Sequence, residues 1–160
     1  TGGAEGDVKP ILGCGTNDDF CTIALIGAYR LLREKEYLER IKRHVEWLRT
    51  VQEDDGSYEG YAAHAVASLT MLDFCRLVEE EGLKIDTKPY YEAVYKSAKF
   101  GLTLQERKFR DLRAYGGFYG QSPYHVSCDR IHSRVTGYSL IFYLRLEGEK
   151  PVPYYSTFNW

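Results

Sequence analysis

Three stretches of this 160-residue chain set chemically capable side chains just ahead of strongly apolar segments. Asp18 and Asp19 precede the run Phe20–Tyr29. Tyr58, Glu59 and His64 lead into an alanine-rich run, and Tyr119, Asp129, Arg130, His132 and Arg134 lead into the apolar residues from Val135 to Leu144. Carboxylates and imidazoles move protons, so Asp18, Asp19, Glu59, Asp129 and His132 are the candidate acids and bases. Tyrosine, histidine and arginine hold polar or anionic groups, which makes Tyr58, His64, Tyr119, Arg130 and Arg134 the candidate substrate-binding residues. Asp129 and His132 stand three apart, a spacing that lets a carboxylate orient an imidazole on one helix face. A second use competes at each place: an aspartate at a helix start caps free amides and meets the helix dipole for about 0.3–1 kcal/mol. The cluster from Asp129 to Arg134 also reads as a surface salt-bridge group.

No metal site and no cofactor is expected. Cys128 and His132 are four apart, but no third ligand stands out beside them. The four cysteines, at 14, 21, 75 and 128, form no C-x-x-C pair and read as buried thiols, not as a disulfide framework.

The elements that must position these groups are helical throughout, because every periodic segment follows the 3.6-residue pattern and no alternating β-branched run occurs. Asn17, Asp18 and Asp19 offer caps to a helix from about Phe20 to Arg33, apolar almost all round and so packed on several sides. From Glu36 to Gln52 the apolar set narrows to Leu38, Ile41, Val45 and Leu48, the stripe of an outer helix. Tyr61–Val78 is apolar and rich in alanine, an inner helix that Gly82 ends. Lys88-Pro89 opens a second outer helix, and a third inner helix runs from Asp129 to Glu147-Gly148. Five helices therefore alternate inner and outer in one domain spanning 1–160. Residues 1–15 and 148–160 read as extended arms, the second broken by Pro151 and Pro153.

A turn recurs between these helices. Arg43–Tyr58 ends a helix on Gln52 and continues through an acidic turn, with Gly56 in an expected left-handed conformation, to Tyr58. Lys96–Gln105 repeats the aromatic-to-Gln interval, and after a charged insertion Gly116-Gly117-Phe118-Tyr119-Gly120 supplies the glycine-aromatic turn. A third, looser copy is Leu12–Asp19. The segment W-L-x-x-x-Q followed by G-S-Y resembles the QW-type repeat of squalene cyclases and the looser repeats of protein prenyltransferase beta subunits. The resemblance implies an all-α fold, with helical hairpins arranged as an α/α toroid around a central cavity and the candidate residues gathered at one mouth. A closed six-hairpin ring needs about twice this length, so an arc is expected, completed by the rest of a larger chain or by a second copy. The start at Thr1, without Met, fits a longer parent or a processed N-terminus.

The toroid hosts several chemistries. Squalene–hopene-type cyclases use D-x-D-D, against which Thr16-Asn17-Asp18-Asp19 lacks the first Asp. Prenyltransferase beta subunits follow the Gly-Gly-Phe turn with D-x-C, where this chain has Val126 before Cys128. Thioester domains use Gly-Cys-Gly-Glu-Gln, where this chain reads Gly13-Cys14-Gly15-Thr16-Asn17. Glycoside hydrolases and polysaccharide lyases share the fold, and fourteen tyrosines against seven Phe and two Trp suit a polar cavity that stacks on sugar rings. The expected function is therefore carbohydrate-active, a hydrolase or lyase with an oligosaccharide or other small-molecule ligand. The alternatives are an isoprenoid-binding domain and a non-catalytic helical interaction module. A net charge of −2 without basic clustering argues against nucleic acid, and no apolar run reaches membrane-spanning length. A soluble, cytoplasmic protein is expected.

Overall fold

The amphipathic stripe of the second periodic segment dictates a helix that buries one side. In the computed structural model, which describes residues 15–58, 64–108, 112–119, 131 and 133–148, that helix is α2 (Lys35–Thr50), with Ile41, Val45 and Leu48 fully buried. Its opposite face carries the exposed pairs Arg40–Glu36, Lys42–Glu39 and Arg49–Glu46, each worth only a few tenths of a kcal/mol, about the usual value for such pairs. The remaining described helices are α1 (Gly15–Leu32), α3 (His64–Glu80), α4 (Lys88–Thr103) and α5 (Ser133–Leu146). No strand accompanies them among the described residues; three isolated bridges mark the turns. The fold is all-α and built from helical hairpins.

α3 is the centre. Every residue from 65 to 75 is buried, and α1, α2, α4 and α5 all pack on it. Small side chains at Ala65, Ala67 and Ser68 permit this close approach, while Leu69, Met71, Leu72, Phe74 and Leu77 fill the core. The ends follow sequence chemistry. Gly82, at φ +60°, closes α3 with its own N–H on Glu79 O and the Leu83 N–H on Val78 O. Pro89 lies in the first turn of α4, where the Asp86 carboxylate accepts the Lys88 N–H at 3.0 Å.

The recurring turn is present twice. α2 and α4 are each 16 residues long and each is followed two residues later by a glutamine. Gln52 bridges to Tyr58 and Gln105 to Phe118. The Gln52 amide donates to Gly56 O at 3.4 Å and the Gln105 amide to Gly116 O at 3.3 Å, and both glycines are left-handed, at φ +93° and +82°. Gln52 also donates to Ala93 O of α4 at 2.9 Å, tying one hairpin to the next.

Two expectations are corrected. α1 begins at Gly15, well before Phe20, so Asp18 lies in its first turn and Asp19 beyond it; Asp19 is not an N-cap. The terminal inner helices are not packed all round. Leu31 and Leu32 on α1 and Leu140 and Leu144 on α5 are exposed, because only α3 has an inner helix on both sides. The arms lie, apart from Gly15 and Gly148, outside the described residues.

Candidate functional site

The short turns make each hairpin antiparallel, so the starts of α1, α3 and α5 share one end with the ends of α2 and α4. At that end Asp19 on α1 turns toward α2, where His44 Nε2 lies 2.8 Å from Asp19 Oδ1. The Asp19 side chain is 0% exposed and that of His44 15%. Asp19 Oδ2 is also buried and has no partner among the described residues. Burial is the main influence on this carboxyl group and raises its pKa to about 6, against the opposing hydrogen bond and charge of His44; Asp18 adds a smaller upward push. The Asp19 carboxyl therefore exchanges its proton close to neutral pH, well above the usual carboxylate range.

Beneath the pair runs a neutral polar layer. The Tyr58 ring is fully buried, and its hydroxyl accepts a hydrogen bond from Gln52 Nε2 at 3.1 Å. Burial, then the nearby Asp19 charge, push the Tyr58 phenol far upward, so it stays protonated. Ser68 donates to Ser97 at 2.5 Å, and the Thr70 hydroxyl bonds Val66 O at 2.9 Å and Asp19 O at 3.5 Å. Counted from the equivalent glutamines, His44 on α2 and Ser97 on α4 occupy the same place. Each is the outer-helix half of a polar contact with an inner helix: His44 with Asp19, Ser97 with Ser68. The first hairpin thus carries an ionisable pair where the second carries two hydroxyls.

Trp47 stands one turn beyond His44, with ring centroids 5.6 Å apart and planes inclined by 30°. It offers an apolar, half-buried face beside the imidazole. His44 belonged to no sequence-based candidate set. The signal was there: positions 41, 44, 45 and 48 form the buried stripe of α2, and a histidine inside such a stripe needs a partner.

The other predicted residues separate. Asp18 is half-buried, and its backbone oxygen accepts from Thr22. Tyr58 is enclosed in the core, where its ring meets no solvent. Tyr119 donates to Glu106 Oε2 at 2.5 Å, the largest cause of that carboxylate's lowered pKa. Arg134 is exposed in the first turn of α5. Glu59, the His64 side chain, Asp129, Arg130 and His132 lie outside the described residues. Two of the predicted cysteines can be placed: Cys75 is buried, with its thiol pushed up to about 12, whereas Cys21 is exposed, against expectation. Cys14 and Cys128 lie outside the described residues.

Along the described part of α3, residues 65–75 are all buried. Phe20 on α1 and Tyr138 on α5 meet edge to face at 5.2 Å across its start. At the far end Arg145 and Asp73, 8% and 7% exposed, pair at 2.5 Å and fasten α5 to α3. Burial raises the Asp73 pKa despite the Arg145 charge. Among the described residues no group of three His, Cys, Asp or Glu is placed to hold a metal, and no helix is long and apolar enough to cross a membrane. No family model matches the chain, and no curated protein or solved structure matches it.

Proposed function

We propose that this chain is part of a carbohydrate-active enzyme of the α/α-toroid type, in which His44 is the proton-transferring group and Asp19 its positioning partner. The observation that carries the reading is the 2.8 Å contact between a fully buried carboxylate and a partly exposed imidazole. Asp19 orients the ring through Nε2 and stabilises the imidazolium that forms when the second nitrogen takes a proton. Trp47 supplies the flat apolar face on which a sugar ring stacks.

Of the two carbohydrate chemistries, β-elimination on a uronate fits better. Hydrolysis needs two carboxyl groups facing the glycosidic bond, whereas the Asp19 carboxylate is enclosed and turned onto His44. A lyase needs a base to take the proton from the carbon next to the uronate carboxylate, a role suited to an imidazole; the double bond forms as the bond to the glycosidic oxygen breaks, and that oxygen leaves with a proton from water. The test is a panel of uronate-containing and neutral polysaccharides, read by the ultraviolet absorbance of the unsaturated product. His44→Gln is expected to lower the rate about 10²–10⁴-fold with the helical spectrum unchanged. Turnover that survives this substitution, or no turnover of any polymer, refutes the reading.

A further inference from the structure

Two inner helices are apolar on a side that no described residue covers. Between Asp19 and Arg30 α1 carries no charged residue, and between Arg134 and Arg145 neither does α5. A helix without a charged face belongs inside a structure. α3 meets that condition, since it lies between α1 and α5 and buries every residue from 65 to 75. α1 and α5 each have an inner helix on one side only. On α1, Cys21, Ala24, Leu31 and Leu32 fall along one side at helical spacing and are exposed, the two leucines at 78% and 59%. On α5 the open side carries Gly137, Leu140 and Leu144, the leucines at 55% and 41%.

The charges that border these stripes turn inward. Arg30 pairs with Glu80 at 2.9 Å and Arg33 with Glu81, while Arg145 is buried against Asp73. The stripes are left uncharged, unlike the solvent face of α2 with its rows of ion pairs. They suit the flank of another apolar helix. Because the hairpins are antiparallel, α1, α3 and α5 run in the same direction, and one kind of contact is made twice, α1 on α3 and α3 on α5. The open side of α5 is the side by which α3 receives α5. The open side of α1 is the side by which α3 receives α1. Each edge is therefore of the kind that the other accepts, and both are turned away from α3, so they do not meet within one chain.

We propose that these two sides form the interface of a head-to-tail dimer, in which α1 of each copy packs beside α5 of the other and continues the row of inner helices. The occupant is a second copy because the chain carries, at its opposite edge, the helix that each open side is built to receive. The contact prolongs the α1–α3–α5 packing already present. It sets Cys21 and Ala24, near the start of α1, against Gly137 and Leu140 of α5, and Leu31 and Leu32 beside Leu144. Ala24 and Gly137 permit the close approach that Ala65, Ala67 and Ser68 permit on α3. One such contact at each edge closes the pair and leaves no edge for a third copy.

Sedimentation equilibrium on the 160-residue chain tests this directly, with twice the mass of one chain expected at micromolar concentration. Leu31→Glu/Leu32→Glu, on the α1 edge, and Leu140→Glu/Leu144→Glu, on the α5 edge, should each weaken association by roughly 100-fold or more. Their helical spectra should stay unchanged, since all four side chains are exposed in the single chain. Mixing the two variants should restore association, because the intact α5 edge of the first meets the intact α1 edge of the second. A second measurement avoids edge charges: in Gly137→Cys, where a Cβ has nothing within 4 Å, a short bis-maleimide should join two chains, and Cys21→Ser should abolish the product. A single-chain mass for the wild type overturns the proposal, as does a mass that keeps rising beyond two copies. A dimer that survives in either variant alone, or a mixture that does not associate, also overturns it, because the contact is then not head-to-tail.

Discussion

Replacing Asp19 with asparagine separates the cost of the ionised carboxylate from its use. In the folded chain the pKa of this group rises from 3.8 to about 6. The folded state therefore holds its proton more tightly than the unfolded state. The stability that comes from this preference is fully present below about pH 4 and is lost as pH rises through 6. Moving this carboxyl from 3.8 to about 6 corresponds to ~3 kcal/mol. Asparagine has nearly the same shape, keeps a hydrogen-bonding oxygen for His44 and cannot ionise. The difference in unfolding free energy between wild type and Asp19→Asn should thus change by about 3 kcal/mol between pH 4 and pH 7.5, in favour of asparagine at the higher pH. Urea titrations at several pH values measure it. The proposed activity should move the opposite way, because asparagine cannot stabilise an imidazolium. A stability difference that stays level with pH would show that the Asp19 carboxylate is not held in the environment described.

Gly56→Ala should cost about 3 kcal/mol or more, since a left-handed alanine costs roughly 1–2 kcal/mol and the added methyl also meets a helix backbone. Gly82→Ala, equally left-handed but in open space, should cost only about 1–2 kcal/mol; equal losses in thermal or urea unfolding would refute the seating of α4 on the first turn. At the far end, Arg145→Met alone should destabilise by about 3–5 kcal/mol because it strands the buried Asp73. Adding Asp73→Leu should recover most of that loss, and a double variant no better than the single would show that the pair contributes little by itself.

Helix positions were legible from periodicity, and the turn was legible from Gln52, Gly56 and Tyr58. The left-handed Gly56 and the caps at Gly82 and Pro89 follow from local chemistry, which a single sequence displays. What was not legible depends on packing between distant segments. The start of α1 at Gly15 moved Asp19 from a cap to a buried position, and only the packing of α1 on α2 brings His44 to it across 25 residues of chain. Asp73 and Arg145 are 72 residues apart and carry no local signature. Tyr58 was identified correctly as the aromatic that closes the turn, and that role, by enclosing its ring, keeps it from the substrate-stacking role also expected of it.

The proposed proton transfer at the Asp19–His44 pair accounts for a difference between the two hairpins. The same slot in the second hairpin is filled by Ser68 and Ser97, small hydroxyls whose hydrogen bond joins inner to outer helix without an ionisable group. That solution was open to the first hairpin too, since α1 carries small residues and the turn hardware of Gln52, Gly56 and Tyr58 is shared. Instead this hairpin buries a carboxylate whose second oxygen has no partner among the described residues and whose pKa burial raises to about 6. Sites that break a local rule in this way are where function concentrates. The pair also lies where α1 begins and toward the end of α2, beside Trp47, with the imidazole as its partly exposed member. A contact that only joins the helices is met by two serines, whereas the proposed proton transfer needs the histidine and the buried acid behind it.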